Sequence, residues 1–429
     1  MRLLRFACFA VVVGCSNSPS PRLIAGGGIG DGSIDGTLNV YVIDHDTEAA
    51  ISGATVEVGT TQKTTDAKGL AVFSVSGKQT VTVSATGYVA TVWADVDGAN
   101  VTVPVNPTPD TPDQATLSGT IASWSSITVP AQHVKAGYVL YSSDTKANNG
   151  ANSIATPGAG QLCGVAPTDT MCSWSVATRT GNVTLTAVLV DVDTKGTVTG
   201  TDDTRSIIGY ATTAAVTVDA NVNQTGIVLD QVDAGDLEDV TIDTGTPPAA
   251  LTTLGFEVGV ELDNFEVVEL PVSALSTDYS TVLVPKPTVY AADADFRLTG
   301  SASTTSNPTA QSIIQRTKQT STALAAGTWL DPPTNATITT TNATFDPVAG
   351  ASAHTVKWTN ATGDDVLDVT IFDPTDTSFD VPNLVALPSG TLTATVQGIA
   401  ATFPVNNFSL DDDLDELWGV SSQPATVGQ

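Results

Sequence analysis

The stretch Leu38-Asn39-Val40-Tyr41-Val42-Ile43 begins the part of the chain that decides the fold. Apolar and β-branched residues fill it and polar turns border it, a pattern typical of a β-strand. Short runs of the same kind follow at close, regular spacing up to Val105. About seven such strands, separated by turns that contain Gly, Asp and Ser, predict a β-sandwich over residues 34–105.

Three local features of this region also carry a family resemblance. They are the strand Ser52-Gly53-Ala54-Thr55-Val56, the turn Thr65-Asp66-Ala67-Lys68-Gly69 and the segment Ala85-Thr86-Gly87-Tyr88. Their order and spacing are similar to those of the carboxypeptidase regulatory-like domain, a small transthyretin-like sandwich. The resemblance covers residues 34–105 and implies an accessory module without catalysis.

The N-terminus has the features of an export signal. Two basic residues, Arg2 and Arg5, precede an apolar run that is too short to span a bilayer. The following Val12-Val13-Gly14-Cys15 resembles the lipobox of bacterial lipoproteins, which implies cleavage after residue 14, lipidation of Cys15 and, with Ser16 next to it, sorting to the outer membrane. Residues 15–33 are then expected to be a flexible tether. A plain secretory signal followed by an ordinary thiol, or a buried strand at 1–14, are the alternatives.

Composition limits the possible partners. The chain has 429 residues, with 45 acidic against 16 basic residues and a formal net charge of −29. Such a charge argues against binding to nucleic acid and against electrostatic docking on anionic lipid. The many Thr, Val and Ala residues favour strands with small polar outer faces. The expected class is all-β, with tandem β-sandwich domains after the signal peptide.

A Pro-rich linker at 106–114 is expected to separate the first sandwich from a second one at 115–232. The second carries a long loop between Ser142 and Ser173 that contains Cys163 and Cys172. In an oxidising envelope this pair predicts a loop-closing disulfide, with a metal or redox pair as the alternative. If the domain binds a ligand, this loop is the first candidate.

One segment of the second sandwich resembles a metal-binding loop. Asp191, Asp193, Gly196 and Asp202 fall at positions one, three, six and twelve of an EF-hand loop. Lys195 stands where an oxygen ligand is expected, and the flanking residues read as strands. A weak calcium site and a plain hairpin turn with solvated carboxylates are both compatible with the pattern.

The remainder divides into a β domain at 237–330, a sandwich at 332–408 and an acidic tail at 409–429. Gln311–Ala326 reads equally well as a helix or a strand. In the third sandwich, the turns Pro347-Val348-Ala349-Gly350-Ala351 and Leu387-Pro388-Ser389-Gly390 are similar to those of a fibronectin type III module, whose members bind partners or act as spacers. The tail is expected to be a solubilising end with at most one helical turn.

No residue pattern points to catalysis. His45, His133 and His354 fall in different predicted domains, and neither Gly-x-Ser-x-Gly nor His-Glu-x-x-His occurs. We therefore expect no enzyme and no required cofactor, but a binding or structural module that is anchored to the bacterial cell envelope through Cys15. The expected partner is a glycan or an envelope protein. A surface adhesin or carbohydrate-binding protein, with or without dependence on calcium, is the alternative.

Overall fold

A computed structural model describes residues 20–108, 114–121, 127–131, 133–143, 172–179, 181–196, 204–212, 216–219, 224–232, 236–261, 267–274, 281–289, 292–305, 309–413 and 417–428. Nearly all regular structure in these ranges is β-strand, so the predicted all-β class is confirmed. Within the same ranges, no helix has the length and apolar character needed to cross a bilayer.

We group the described strands into four modules in chain order. The first, residues 24–108, contains β1 Gly28–Ile29, β2 Leu38–Asp44, β3 Thr55–Val58, β4 Thr61–Thr64, β5 Leu70–Phe73, β6 Gln79–Ser84, β7 Ala90–Val96 and β8 Asn100–Val105. The second, residues 114–232, contains β9 Gln114–Ile121, β10 His133–Ser143, β11 Cys172–Arg179, β12 Gly181–Asp193, β13 Thr204–Thr212, β14 Val216–Val218 and β15 Gln224–Val232.

The third module, residues 236–330, contains β16 Leu237–Asp243, β17 Thr253–Glu261, β18 Val267–Ala274, β19 Thr281–Pro285, β20 Asp295–Ser303, β21 Gln311–Gln319 and β22 Ala323–Ala325, with a 3-10 turn at Pro287–Val289. The C-terminal module, residues 332–428, contains β23 Thr337–Thr339, β24 Asn342–Thr344, β25 Ala353–Asn360, β26 Asp365–Ile371, β27 Ser378–Asp380, β28 Leu392–Ala401, β29 Phe408–Ser409, α1 Leu410–Asp413 and β30 Leu417–Gly428.

The first module is a sandwich of two sheets. One sheet has the order β29-β1-β8-β2-β5, and the other face is formed by β4, β3, β6 and β7. Inward-facing side chains of both sheets share one core, in which Leu38, Val56 and Phe73 are almost fully buried. The apolar stretch that begins at Leu38 is β2, and it is buried along nearly its whole length because it lies between β8 and β5.

The first and C-terminal modules are joined by a continuous sheet. Strand β7 pairs in parallel with β26, with Ala90 opposite Leu367 and Ala94 opposite Ile371. Because successive side chains of a strand point to opposite faces, β7 serves two cores. Val92 packs into the core of the C-terminal module, and Trp93 packs into the core of the first. The short pair β1–β29 adds a second connection between the same modules.

The second and third modules lie between the first and the C-terminal module along the chain. The sheet of the second has the order β10-β12-β13-β15-β9-β11, with β14 on β12. The third contributes β18-β17-β20-β21 to the long sheet and forms a small sheet, β19-β16-β22. One apolar cluster contains residues of both modules, including Val190 and Ile207 from the second and Phe256 and Leu298 from the third.

The C-terminal segment differs from the expected solubilising end. Helix α1 has only four residues, and β30 pairs with β28 over most of its length and with β21 of the third module. Ser421 and Ser422 are almost fully buried in this strand, so it lacks the apolar alternation that identifies an inner strand from sequence. The Arg316 guanidinium lies over the Trp418 ring, 4.7 Å from the ring centre. Of the two alternatives for Gln311–Ala326, the strand is the one observed.

The expected flexible tether also differs from the structure in its last ten residues. Ile24 and Ile29 are buried, and β1 pairs with both β8 and β29. Gly28 has a φ of 147°, and a Cβ at this position would lie 2.1 Å from the Phe408 carbonyl oxygen. The glycines here permit a close backbone approach, which is a different use of glycine from the flexibility that the sequence suggested.

Gly28→Ala is expected to loosen the connection between the first and C-terminal modules, because the new methyl group meets backbone that cannot move aside. We expect a loss of unfolding free energy of about 3 kcal/mol or more, from strain plus steric overlap. Gly32→Ala is the matched control, since Gly32 also has a positive φ but a Cβ there would meet nothing within 4 Å. Thermal and urea unfolding of both variants would test this, and equal losses would contradict it.

A second stability feature is His354 on β25. Its side chain is fully buried, its Nε2 accepts a hydrogen bond of 3.2 Å from the Val348 backbone N–H, and its ring lies 5.1 Å from that of Phe345. No hydrogen-bond partner for Nδ1 occurs among the described residues. Burial lowers the pKa of His354, so the folded protein holds the neutral imidazole.

This gives a pH prediction with a defined sign. Below about pH 6.5 the unfolded chain takes up a proton at His354 that the folded chain resists, so stability is present at neutral pH and falls as the pH is lowered. The slope from one such group reaches at most about 1.4 kcal/mol per pH unit. His354→Gln keeps an acceptor but does not titrate. Between pH 7.5 and pH 5, urea unfolding is expected to show a smaller decrease in unfolding free energy for the variant than for wild type. Identical decreases would show that protonation of His354 is not the cause.

Candidate functional site

A pocket of about 250 Å³ lies where the first and C-terminal modules meet. The residues around it come from β7 and the ends of β2 and β8 in the first module, and from β25, β26, β28 and the segment 401–410 in the C-terminal module. They are His45, Thr91, Trp93, Pro104, Asn106, Ala353, Asp368, Thr370, Phe372, Ile399, Ala401, Phe403, Val405, Phe408 and Leu410. We call this cavity the junction pocket. It depends on the β7–β26 pairing, because neither module alone supplies its walls.

Aromatic rings form much of the apolar wall. Phe408 is the common neighbour, with its ring centre 6.2 Å from Trp93, 5.8 Å from Phe372 and 5.4 Å from Phe403. Trp93 and Phe372 meet edge to face at 5.3 Å. Such arrangements fix the rings in place and bury large apolar area. Trp93 and Phe372 are brought together because β7 lies directly beside β26, the strand that Phe372 follows.

Three polar residues of the lining, Thr91, Asn106 and Asp368, lie next to each other. Asp368 of β26 is paired in register with Thr91 of β7 and with Lys357 of β25. Its Oδ2 accepts a hydrogen bond of 3.3 Å from the Asn106 side-chain amide, across a separation of 262 residues in sequence. His45 and Thr370 complete the polar lining. An apolar pocket with a few converging polar groups is the usual form of a small-ligand site.

The charge balance beside the pocket is uneven. The Lys357 ammonium lies 2.8 Å from Asp365 Oδ2 and 3.7 Å from Asp368 Oδ1, so it makes a hydrogen bond with Asp365 and only a longer contact with Asp368. Asp368 Oδ1 is sealed from solvent and has no hydrogen-bond partner among the described residues. Burial raises the pKa of Asp368 despite the nearby ammonium. Burial alone would lower the pKa of Lys357, but the two carboxylates raise it.

The calcium candidate is only partly described. Asp191 and Asp193 lie at the end of β12, before the turn at Lys195, and Asp202 lies outside the described residues. His133 Nδ1 is 2.8 Å from Asp191 Oδ1, its Nε2 is 3.8 Å from Asp193 Oδ1, and the Lys195 ammonium contacts Asp193. Among the described residues, no group of three or more His, Cys, Asp or Glu side chains is placed to hold a metal. The site stays a prediction.

The cysteine predictions likewise stay open. Cys172 is buried at the start of β11, opposite Ile121 of β9. Cys163, most of the loop between Ser142 and Ser173, and Cys15 with the whole signal segment lie outside the described residues. The Cys163–Cys172 disulfide and the lipidation of Cys15 are therefore carried forward as sequence-based predictions.

The three histidines occupy separate places, as their spacing suggested. His45 lines the junction pocket, His133 contacts the two aspartates of β12, and His354 is buried in the C-terminal core. Sequence reasoning did not single out Asp368, Lys357 or the aromatic residues of the pocket. The one local signal was an Asp within an apolar strand, Leu367-Asp368-Val369, which shows a charged group on one strand face but not what it meets.

Comparisons with known proteins give little beyond this geometry. No protein-family model matches the chain, and no curated protein matches it. A putative carbohydrate-binding protein from Bacteroides uniformis is 9% identical, with 43% of this chain and 98% of that one covered and a TM-score of 0.15. Shaft pilin SpaA from Lactobacillus rhamnosus GG is 14% identical, with 47% and 98% covered and a TM-score of 0.14.

The FN1–FN3 domains of chicken CNTN1 are 9% identical, with 82% of this chain and 95% of that one covered and a TM-score of 0.17. Identities and TM-scores this low carry no argument about ligand or activity. The chemistry of the junction pocket is therefore inferred from its own contacts.

Lys357→Met is expected to destabilise the protein at pH 7 by about 1 to 2 kcal/mol, because it leaves Asp365 and Asp368 without their shared cation, an effect reduced by partial solvent exposure. The raised pKa of Asp368 means that its ionisation costs stability as the pH rises, and removal of Lys357 increases that cost. The difference from wild type should therefore shrink at pH 5.

Lys78→Met is the matched control for this variant. Lys78 pairs with Asp373 at 2.9 Å, but half of its side chain is exposed, so we expect a loss below about 1 kcal/mol. Hydrogen bonds from Thr375 and Lys78 lower the pKa of Asp373, so the effect should not change between pH 7 and 5. Urea unfolding at both pH values measures the difference. If Lys357→Met lowers the unfolding free energy by the same amount at both pH values, Lys357 does not act through the ionisation of Asp368.

Proposed function

We propose that this chain is a non-enzymatic binding protein of a bacterial cell envelope, and that the junction pocket is its binding site. The observation that carries the proposal is the pocket itself: an apolar, aromatic cavity of about 250 Å³ with a few polar groups in its lining. A cavity of this size and lining is suited to hold a small molecule or a protruding group of a larger partner. The remaining modules act as structural support.

The envelope location rests on the sequence. The lipobox-like Val12-Val13-Gly14-Cys15 supports export and a lipid anchor at Cys15, with the outer membrane as destination. The carboxypeptidase regulatory-like features of residues 34–105 and the fibronectin type III-like turns of residues 332–408 support an accessory, non-catalytic role. The net charge of −29 suits an exported protein that does not bind nucleic acid.

Surface adhesion is the alternative form of the same proposal. In it the partner is a glycan or an envelope protein on a neighbouring surface, and the loop between Ser142 and Ser173 would share in the contact. Sandwich loops commonly provide such surfaces. Whether the modules face outward or into the periplasm separates adhesion from an internal scaffold or carrier role.

Cys15→Ala is expected to move the protein from the membrane fraction to the soluble fraction, because residues 1–14 are too short to anchor it once the acyl chains are missing. Fractionation and protease shaving of intact cells that express wild type and variant would measure this. If the protease removes the wild-type protein from intact cells, the protein is displayed on the surface. If the protein is protected from the protease, it faces the periplasm. If the variant stays in the membrane, the lipid anchor is refuted.

Binding by the junction pocket is tested with N-phenyl-1-naphthylamine, a neutral, apolar fluorescent probe. We expect saturable 1:1 binding to wild type and its loss in Ala401→Trp, because the indole fills a cavity that Ala401 lines. Ala361→Trp adds the same ring at an exposed turn and should bind like wild type. Equal binding by both variants would show that the probe sits elsewhere, and no binding to wild type would refute the pocket as a binding site.

A further inference from the structure

The charge pattern of the junction pocket narrows its ligand, given the proposed function of the pocket as a binding site. The geometry points to a ligand that carries an ammonium group on an apolar body, with the ammonium beside Asp368 and the apolar body against Trp93, Phe372 and Phe408. A neutral sugar and an anion fit this arrangement less well. Three properties of the pocket favour the ammonium: an acceptor that is not fully used, an excess of negative charge and an aromatic wall.

Asp368 has hydrogen-bonding capacity that the protein does not meet. A carboxylate offers about four acceptor positions. In this structure Oδ2 accepts one long hydrogen bond from Asn106, and Oδ1 accepts none from the described residues. The side chain is 20% exposed although Oδ1 is sealed, so of its two oxygens only Oδ2 can contribute to that exposure. A donor placed at Oδ2 would therefore supply what the protein leaves unmet.

Negative charge is in excess beside the pocket. The nearby cation, Lys357, lies closer to Asp365 than to Asp368, and Asp365 does not line the pocket. One ammonium thus stands against two acidic side chains, and Asp368, the one farther from the ammonium, is the one that lines the pocket. A cationic donor gains from this imbalance and an anion is repelled. The net charge of −29 for the whole chain also attracts cations and repels anions.

The apolar wall suits the rest of such a ligand. Aromatic faces attract ammonium groups and the polarised CH groups next to them. Rings around Phe408 make up much of the apolar wall, and most of the remaining lining is aliphatic. A sugar needs several polar partners distributed around it, whereas most of the lining here is apolar, and Asn106 and Asp368 already contact each other. An amine with one apolar end matches this division.

The test uses isothermal titration calorimetry at low salt and pH 7 on the full-length protein without its signal. The probes are phenethylammonium, its neutral isostere 2-phenylethanol, and methyl α-glucoside. We expect phenethylammonium to bind at least about tenfold more tightly than 2-phenylethanol, the ratio that a charge-assisted hydrogen bond typically gives. Nα-acetyl-lysine N-methylamide distinguishes the source of the ammonium: tighter binding of this probe supports a lysine side chain of a protein partner, and weaker binding supports a free amine.

Asp368→Asn should remove the tenfold preference while 2-phenylethanol still binds, which shows that the pocket is intact. Glu57→Gln removes one negative charge from β3, away from the pocket, and should keep the preference. Asp365→Asn is a second variant outside the pocket lining. It should also reduce the preference, because it releases Lys357 to pair with Asp368.

Three outcomes would overturn the inference. Equal binding of phenethylammonium and 2-phenylethanol would refute the ammonium class and leave the pocket as a binding site. Tighter binding of methyl α-glucoside would favour the glycan alternative. An unchanged preference in both Asp368→Asn and Asp365→Asn would place the charge recognition elsewhere. Failure of N-phenyl-1-naphthylamine to bind, by contrast, refutes the proposed function itself.

Discussion

The parallel pairing of β7 with β26 is the contact on which the rest of the structure depends. It joins strands that are separated by more than half of the chain. One sheet of the first module and one sheet of the C-terminal module thereby become a single continuous sheet. Closing so large a loop costs entropy, but that cost grows only slowly with length. The burial of apolar side chains on both faces of β7 offsets this entropy cost. Val92 and Ala94 complete the core of the C-terminal module, and Trp93 completes the core of the first module.

This connection leaves the second and third modules between the first and the C-terminal module along the chain. Strand β29 reaches β1 near the N-terminus, and β30 lies between β28 and β21. The last strand is therefore an inner strand, and the first and C-terminal modules are not independent units on flexible linkers. If Cys15 is lipidated, the joined first and C-terminal modules include the part of the protein nearest to the anchor in sequence.

The junction pocket follows from the same connection. Asn106 ends the first module and Asp368 belongs to the last, yet their side chains are in contact because β26 lies against β7. The local pattern Leu367-Asp368-Val369 can place Asp368 on one face of a strand and no further. Short-range patterns report which face of a strand is apolar, but they carry no information about which distant strand pairs with it. Neither the pocket nor its charge imbalance was therefore foreseen.

The sequence by itself determined the all-β class, the strands of the first sandwich and the turns of the last, because alternation and turn residues are local signals. It misjudged Gly26–Gly30, where glycine permits close backbone approach, and the C-terminal tail, where buried serines conceal an inner strand. Only the tertiary structure decided the order of strands across modules and the pocket between them. Those features depend on contacts between residues far apart in the chain, whose energies exist only once the modules have folded against each other.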